Sequence, residues 1–232
     1  MAEITPAILP KNYEELKNKA AMVRKLVPLV QVDICDGAYV SGRTWPFSSG
    51  KELDPHFMKI LREEEGLPFW EDLDYELDLM VMDAVENFDV YAKLGAGSLI
   101  FHLGAVGDLK EFREFLEGID PYIRDSVRIG VAIDLDFLVE DFFPLAGRAD
   151  FAQVMGNSRI GIQGENLDRR SLEYVKSIKK KFPDLPVSVD IGVNLDTVHE
   201  ILAAGADRLV AGSAIFDSGD IIGTIEEFRN LA

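Results

Sequence analysis

Cysteine is almost absent from this sequence: Cys35 is the single one in 232 residues. An intrachain disulfide is thereby excluded, and the usage fits a reducing compartment. Histidine is nearly as scarce. Of three in all, His56 and His199 fall in loop or helix contexts and His102 ends an apolar run. Basic residues are outnumbered, 24 Lys and Arg against 41 Asp and Glu, for a formal charge of -17. Recognition of a phosphate backbone needs clustered Lys and Arg, so nucleic acid is not an expected partner. No run approaches the roughly 18 to 20 apolar residues of a membrane span. The opening Met1-Ala2-Glu3-Ile4 lacks the basic segment and apolar stretch of a secretory signal. These absences describe a cytoplasmic protein with no membrane partner. No Gly-x-Gly-x-x-Gly follows an early strand, which argues against an open dinucleotide-binding sheet.

What the chain does have is one unit repeated from end to end, a short β-branched run followed by an amphipathic segment. Strands are predicted at 4–9, 29–34, 75–80, 98–102, 127–133, 150–155, 186–190 and 208–211. Helical patterns fall between them at 13–26, 84–94, 109–116, 137–145, 171–182, 195–203 and 221–231. Alternation at this spacing implies a parallel sheet with right-handed crossovers. Eight units in 232 residues suit a closed (β/α)8 barrel, a TIM barrel, as one domain over 1–232. An open doubly wound sheet is the other arrangement with this alternation. The longest insertion, 38–74, follows the second strand and holds Arg43-Thr44-Trp45-Pro46-Phe47 and Glu63-Glu64-Glu65. Long loops after barrel strands usually cover the active face. The three glutamates read as a solvated helix face.

Function is sought where acids end apolar runs: Gln31-Val32-Asp33-Ile34-Cys35-Asp36, Glu76-Leu77-Asp78-Leu79-Met80 and Ser188-Val189-Asp190. A strand alternates faces with period two, so Gln31, Asp33 and Cys35 share one face and Val30, Val32 and Ile34 the other. Burying an unpartnered carboxylate costs several kcal/mol by a rough estimate, so three strands that aim an acid the same way imply a common site. The bland alternative is that each Asp caps a helix or pairs with a loop arginine. Glycine-containing turns after Asp33 and Asp190, at Gly37 and Gly192, bring backbone close to a ligand. A second cluster, Ala211-Gly212-Ser213-Ala214-Ile215-Phe216, ends the eighth strand with bare amides before a short helix. That is where barrels bind phosphate, and Gly192 can add an amide. Cys35 has no neighbouring histidine to activate it, so it is not read as a nucleophile. Met80 and Met155 read as core or as the apolar floor of the site.

These residues resemble the ribulose-phosphate 3-epimerase family of ribulose-phosphate-binding barrels. The likeness runs through Pro6-Ala7-Ile8-Leu9, Val32-Asp33-Ile34-Cys35-Asp36-Gly37, Asp78-Leu79-Met80-Val81, Phe101-His102 and Gly161-Ile162-Gln163-Gly164. Its most specific stretch is Val189-Asp190-Ile191-Gly192-Val193-Asn194 with Ala204-Gly205-Ala206-Asp207 and the Gly212-Ser213 segment. The resemblance implies an isomerase of the pentose phosphate type acting on a phosphorylated ketose at C3 through an enediolate. Asp33 and Asp190 become the acid/base pair. In the family a divalent metal is held by two aspartates and two histidines. Here Gln31 and Asp78 stand at the histidine positions, so Gln31, Asp33, Asp78 and Asp190 form an all-oxygen set that favours Mg or Mn over Zn. Without a cation the three acids repel, and one must stay protonated. Arg159 and Arg43 are the alternative cations for an enediolate.

The resemblance also gives phosphate binding to Gly192, Gly212 and Ser213, and substrate contacts to Ala7, Met80, His102, Gly161 and Gln163. Ala7 replaces a usual serine, and the sixth loop, Asn157-Ser158-Arg159-Ile160-Gly161-Ile162-Gln163, departs from the family's run. A homo-oligomer is implied as well. Two other classes share these features: a phosphosugar-binding barrel without turnover, and a sister lyase or decarboxylase. The sister enzymes place a lysine among aspartates at strand ends, whereas Lys11, Lys51 and Lys93 lie in helical or loop segments.

Overall fold

A computed structural model describes residues 2–48 and 52–231. Lys51 lies outside the described residues. The strands are β1 (Glu3–Ile8), β2 (Leu29–Cys35), β3 (Asp74–Met80), β4 (Ser98–His102), β5 (Arg128–Ile133), β6 (Phe151–Met155), β7 (Val187–Asp190) and β8 (Arg208–Ala211). They pair in parallel in chain order, and β1 closes on β8. The fold is thus a single-domain (β/α)8 TIM barrel, and the open sheet is excluded. Among the described residues no helix is long and apolar enough to cross a membrane.

Alternation within the strands creates two separate interiors. Val30, Val32, Ile34, Leu77, Leu79, Leu99 and Phe101 face outward and join helix residues such as Leu16, Ala20 and Val23 in the main apolar layer. Leu16, Ala20 and Val23 recur at helical spacing within Tyr13–Val23, whose start is capped by the Asn12 side chain accepting from the Glu15 N–H at 2.9 Å. Inside the barrel, Ile100, Ala132, Phe151 and Met155 form a distinct cluster. Gly130 is needed there, because a Cβ at that position would lie 2.5 Å from the Phe151 ring.

Several helices are shorter than the periodicity suggests. The segment expected at 84–94 is helical only over Phe88–Ala92, and that at 137–145 only over Val139–Phe142. Glu63 to Glu65 do not form a helix face. The helix Pro55–Leu61 ends before them, Glu63 takes φ of 59°, and Glu65 turns back to accept from His56 Nδ1 at 2.8 Å. Charge patterning alone could not anticipate that the chain stops there to make its turn into Gly66.

The N-terminal end of the barrel is closed by an ion pair. Arg208 Nη2 donates to both Glu76 oxygens at 2.8 and 2.7 Å, Nη1 donates to Ser188 Oγ at 3.1 Å, and the guanidinium lies 4.8 Å from the Phe151 ring centroid. Glu76 is fully buried and Arg208 only 4% exposed. Burial raises the Glu76 carboxyl, and the Arg208 charge opposes that shift. Removing one partner of such a pair strands the other, at a cost of about 3 to 5 kcal/mol. Urea unfolding of Glu76→Ala should show a loss of about that size, and the apolar pair Glu76→Leu with Arg208→Met a smaller one. Equal losses would mean the pair contributes packing rather than charge compensation.

Candidate active site at the barrel mouth

Each acid reaches the mouth because its strand ends there with the right phase. Asp33 and Asp78 are register partners on β2 and β3, and Asp190 is the last residue of β7. One carboxylate oxygen from each lies within 4.8 Å of the others, and all three residues are buried. Among the described residues none of them pairs with an arginine or lysine. Their partners are amides and an imidazole. Gln31 Nε2 donates to Asp33 Oδ1 and Asp190 Oδ2, both at 2.8 Å, so one amide ties the two acids together. The Ile191 backbone N–H donates to Asp190 Oδ1 at 2.7 Å, and Gln153 Nε2 lies 3.5 Å from Asp190 Oδ2. Asp78 Oδ1 faces His102 Nε2 at 2.7 Å.

Proton affinities follow from this crowding. Burial, then the charges of Asp190 and Asp78, hold the Asp33 carboxyl well above the usual range. Burial and the Asp78 charge push Asp190 up to about 7. For His102, burial works against the charged ring, but the carboxylates of Asp78 and Asp134 outweigh it and raise its affinity for a proton. Burial and the Asp33 charge raise the Cys35 thiol, in keeping with an inert packed residue.

The mouth opens into a cavity of about 260 Å³. Asp33 and Asp190 line it, with Met80 and Met155 beside them. Ala7, Gly161, Gln163, Gly192, Gly212 and Ser213 also line it, so the two strand-end clusters meet there. Gln163 Nε2 donates to the Ala7 carbonyl at 3.0 Å and fills the space that a Cβ at Gly212 would need, at 2.3 Å. Gly192 has φ of 75° and sits against the Leu167 backbone. Gln31, Asp78 and His102 do not line the cavity; each is fully buried next to it. Neither alternative cation lines it either. Arg159 pairs with Glu165 at 3.0 Å with its side chain 65% exposed, and the Arg43 side chain lies over Gly37, its backbone forming an isolated antiparallel β-bridge with Asp36. Among the described residues the lining has no Lys or Arg, while Glu165 and Asp217 join the two aspartates.

Sequence reasoning missed Asp134, Gln153 and Tyr39. His102 Nδ1 faces Asp134 Oδ1 at 3.0 Å, and the Tyr39 hydroxyl donates to Asp134 Oδ2. Asp134 follows β5 as Asp36 follows β2, and the strand-end rule applied to Asp33 could have found it. Gln153 alternates inward with Phe151 and Met155. Tyr39 carried no signal, because a loop has no period.

The family model for the ribulose-phosphate 3 epimerase family matches residues 3–216. The cytoplasmic isoform of ribulose-phosphate 3-epimerase from Oryza sativa subsp. japonica is 26% identical over 232 residues, covering 97% of this chain and 93% of its own. Ribulose-phosphate 3-epimerase from Bacillus subtilis (strain 168) is also 26% identical, over 235 residues and 99% of each chain. Among solved structures, a crystal structure of KGPDC from Streptococcus mutans superposes with a TM-score of 0.72 at 16% identity, covering 99% of this chain and 96% of its own. The 3-keto-L-gulonate-6-phosphate decarboxylase from Vibrio cholerae gives 0.70 at 10% identity, covering 100% and 97%. At those identities the structural likeness is one of fold. The sequence matches run nearly end to end, and the chain belongs to the ribulose-phosphate 3-epimerase family.

Proposed function

We propose that the protein is an epimerase of a phosphorylated ketose, with Asp33 and Asp190 exchanging a proton at the carbon next to the carbonyl. The observation that carries this reading is that these two acids alone of the triad line the cavity, joined by the Gln31 amide and both with raised proton affinity. One carboxylate, ionised, takes the C3 proton. The C–H electron pair becomes the C2–C3 double bond, and the negative charge moves to the former carbonyl oxygen. The other acid, protonated, then delivers its proton to C3 from the opposite face, which restores the ketone with inverted configuration. Two neighbouring carboxyls that both hold protons more tightly than usual, Asp190 up to about 7, can keep one proton between them as this cycle requires.

The residues fit a divalent cation. Asp78 Oδ2 and Gln31 Oε1 are buried oxygens with no hydrogen-bond partner, and Asp33, Asp78 and Asp190 each offer one carboxylate oxygen to a common cluster. Asp33, Asp78 and Asp190 would hold the ion, and all-oxygen donors favour Mg or Mn over Zn. Gln31 now presents Nε2 to the acids, so its oxygen would join the set only with the amide turned over. When bound, such an ion supplies positive charge to the enediolate oxygen. That supply matters here, because no Lys or Arg among the described residues lines the cavity. The phosphate end of the substrate would rest on the backbone of Gly192, Gly212 and Ser213. The same absence of a lysine speaks against the lyase or decarboxylase reading.

The direct experiment is deuterium incorporation at C3 of ribulose 5-phosphate in heavy water, followed by NMR with Mg or Mn present. The wild type should exchange, while Asp33→Asn and Asp190→Asn should lose about 100-fold or more in rate and still bind the sugar phosphate. Saturable binding with no exchange in the presence of either metal would instead identify a barrel that only binds.

Stability should also depend on pH in a defined direction. Folding raises the Asp33 and Asp190 carboxyls above the ordinary 3.8, Asp190 to about 7, so the folded state holds more protons than the unfolded one across that window. Their contribution is complete below the ordinary value and lost as pH rises through the folded one. Metal-free protein should therefore melt at a lower temperature at about pH 8 than at about pH 5, and Mn should raise the melting temperature more at the higher pH. An Asp33→Asn, Asp190→Asn double variant that keeps the full slope would refute this assignment.

A further inference from the structure

His102 is fully buried, with a carboxylate against each ring nitrogen: Asp78 at 2.7 Å and Asp134 at 3.0 Å. Both ring nitrogens are thereby engaged by carboxylate oxygens, and neither is open to a metal. The line continues outward, since the other Asp134 oxygen accepts from the Tyr39 hydroxyl, and the Tyr39 ring lies 5.5 Å from the imidazole. Gly104 keeps this junction open: a Cβ there would lie 2.5 Å from the Tyr39 oxygen and 3.0 Å from Asp134 Oδ2. Tyr39 is itself fixed by Asp36, which accepts from the N–H groups of Ala38 and Tyr39 at 2.7 and 3.0 Å and from that of Met82 at 3.0 Å. At the inner end, the bond to His102 engages Asp78 Oδ1 and leaves Oδ2 buried without a partner.

We propose that Tyr39, Asp134 and His102 are positioning residues that hold the Asp78 carboxylate in the one rotation that presents Oδ2 to the acid cluster as a divalent-cation ligand. The inference rests on the cation reading of the proposed function. It gives the departure at Asp78 a physical form: a carboxylate stands in the cluster, and the imidazole sits one strand further round the barrel, on β4, as its orienting partner. It also ties the loop after β2 to the cation site, because the outermost member of the line is a loop residue. Hydrogen-bonding partners of metal-binding carboxylates ordinarily influence affinity strongly.

The test is Mn2+ binding to the full-length protein, read by loss of the free-ion EPR signal and by calorimetry, with melting temperature recorded for every variant. Asp134→Asn should weaken Mn2+ binding by about 10- to 100-fold. Tyr39→Phe, which keeps the ring and removes only the hydroxyl, should weaken it in the same direction by less, and His102→Gln should fall with Asp134→Asn. Changed affinity in variants that melt like the wild type separates positioning from a merely structural role. Wild-type affinity in both Tyr39→Phe and Asp134→Asn overturns this inference and leaves the cation reading intact. Failure of the wild type itself to bind Mn2+ overturns the cation reading, and this inference with it.

Discussion

Mutual repulsion among three carboxylates is the constraint on which the rest of this structure depends. Asp33, Asp78 and Asp190 bring oxygens within 4.8 Å of one another in buried surroundings. Like charges at that separation in a medium of low dielectric cannot all stay ionised without compensation. The protein supplies partial compensation with the dipoles of Gln31, Gln153 and the Ile191 amide, and with the imidazole of His102. The remainder must come from protons or from a cation. Both outcomes are chemically useful, since a carboxyl that keeps its proton near neutrality can act as an acid, and its ionised neighbour as a base.

The rest of the barrel interior handles charge differently. At the N-terminal end Glu76 has Arg208, with two hydrogen bonds and support from Ser188. Between the two ends lies the apolar cluster of Ile100, Ala132, Phe151 and Met155. Only at the C-terminal mouth are negative charges gathered without a matching guanidinium or ammonium among the described residues. The closed sheet makes this placement possible, because it fixes Asp33 and Asp78 in register and delivers Asp190 from the far side of the barrel. The loops complete the mouth from above: Ile160 of the sixth loop packs on the cluster inside the barrel and on a small group of Cys35, Val40 and Met80, and Gly161 lies against Val40 of the loop after β2.

Much of this was legible in the sequence, and the reason is periodicity. Each strand appears within about a residue of its expected place, because a two-residue alternation flanked by turn residues is a local signal. The three acids were found by the same logic. What was not legible depends on contacts between distant segments. Glu63 to Glu65 carry the charge pattern of a helix face, yet the chain turns at Glu63. Gln31 sits at a ligand-like position, but only the fold reveals an amide donating to two acids. His102 ends its strand as expected and then turns out to be enclosed, because Asp134 comes from the next strand's end and Tyr39 from a loop far earlier in the chain.

The central claim, that protons and a divalent cation compete for one crowded carboxylate cluster, is tested most directly by titrating Mg2+ or Mn2+ calorimetrically near neutral pH in buffers of different ionisation enthalpy. Binding should release protons, so the observed heat should vary with the buffer, and the dependence should shrink when Asp33 and Asp190 are both changed to Asn. Binding whose heat is the same in every buffer would mean that the ion meets carboxylates already ionised, and would contradict the account.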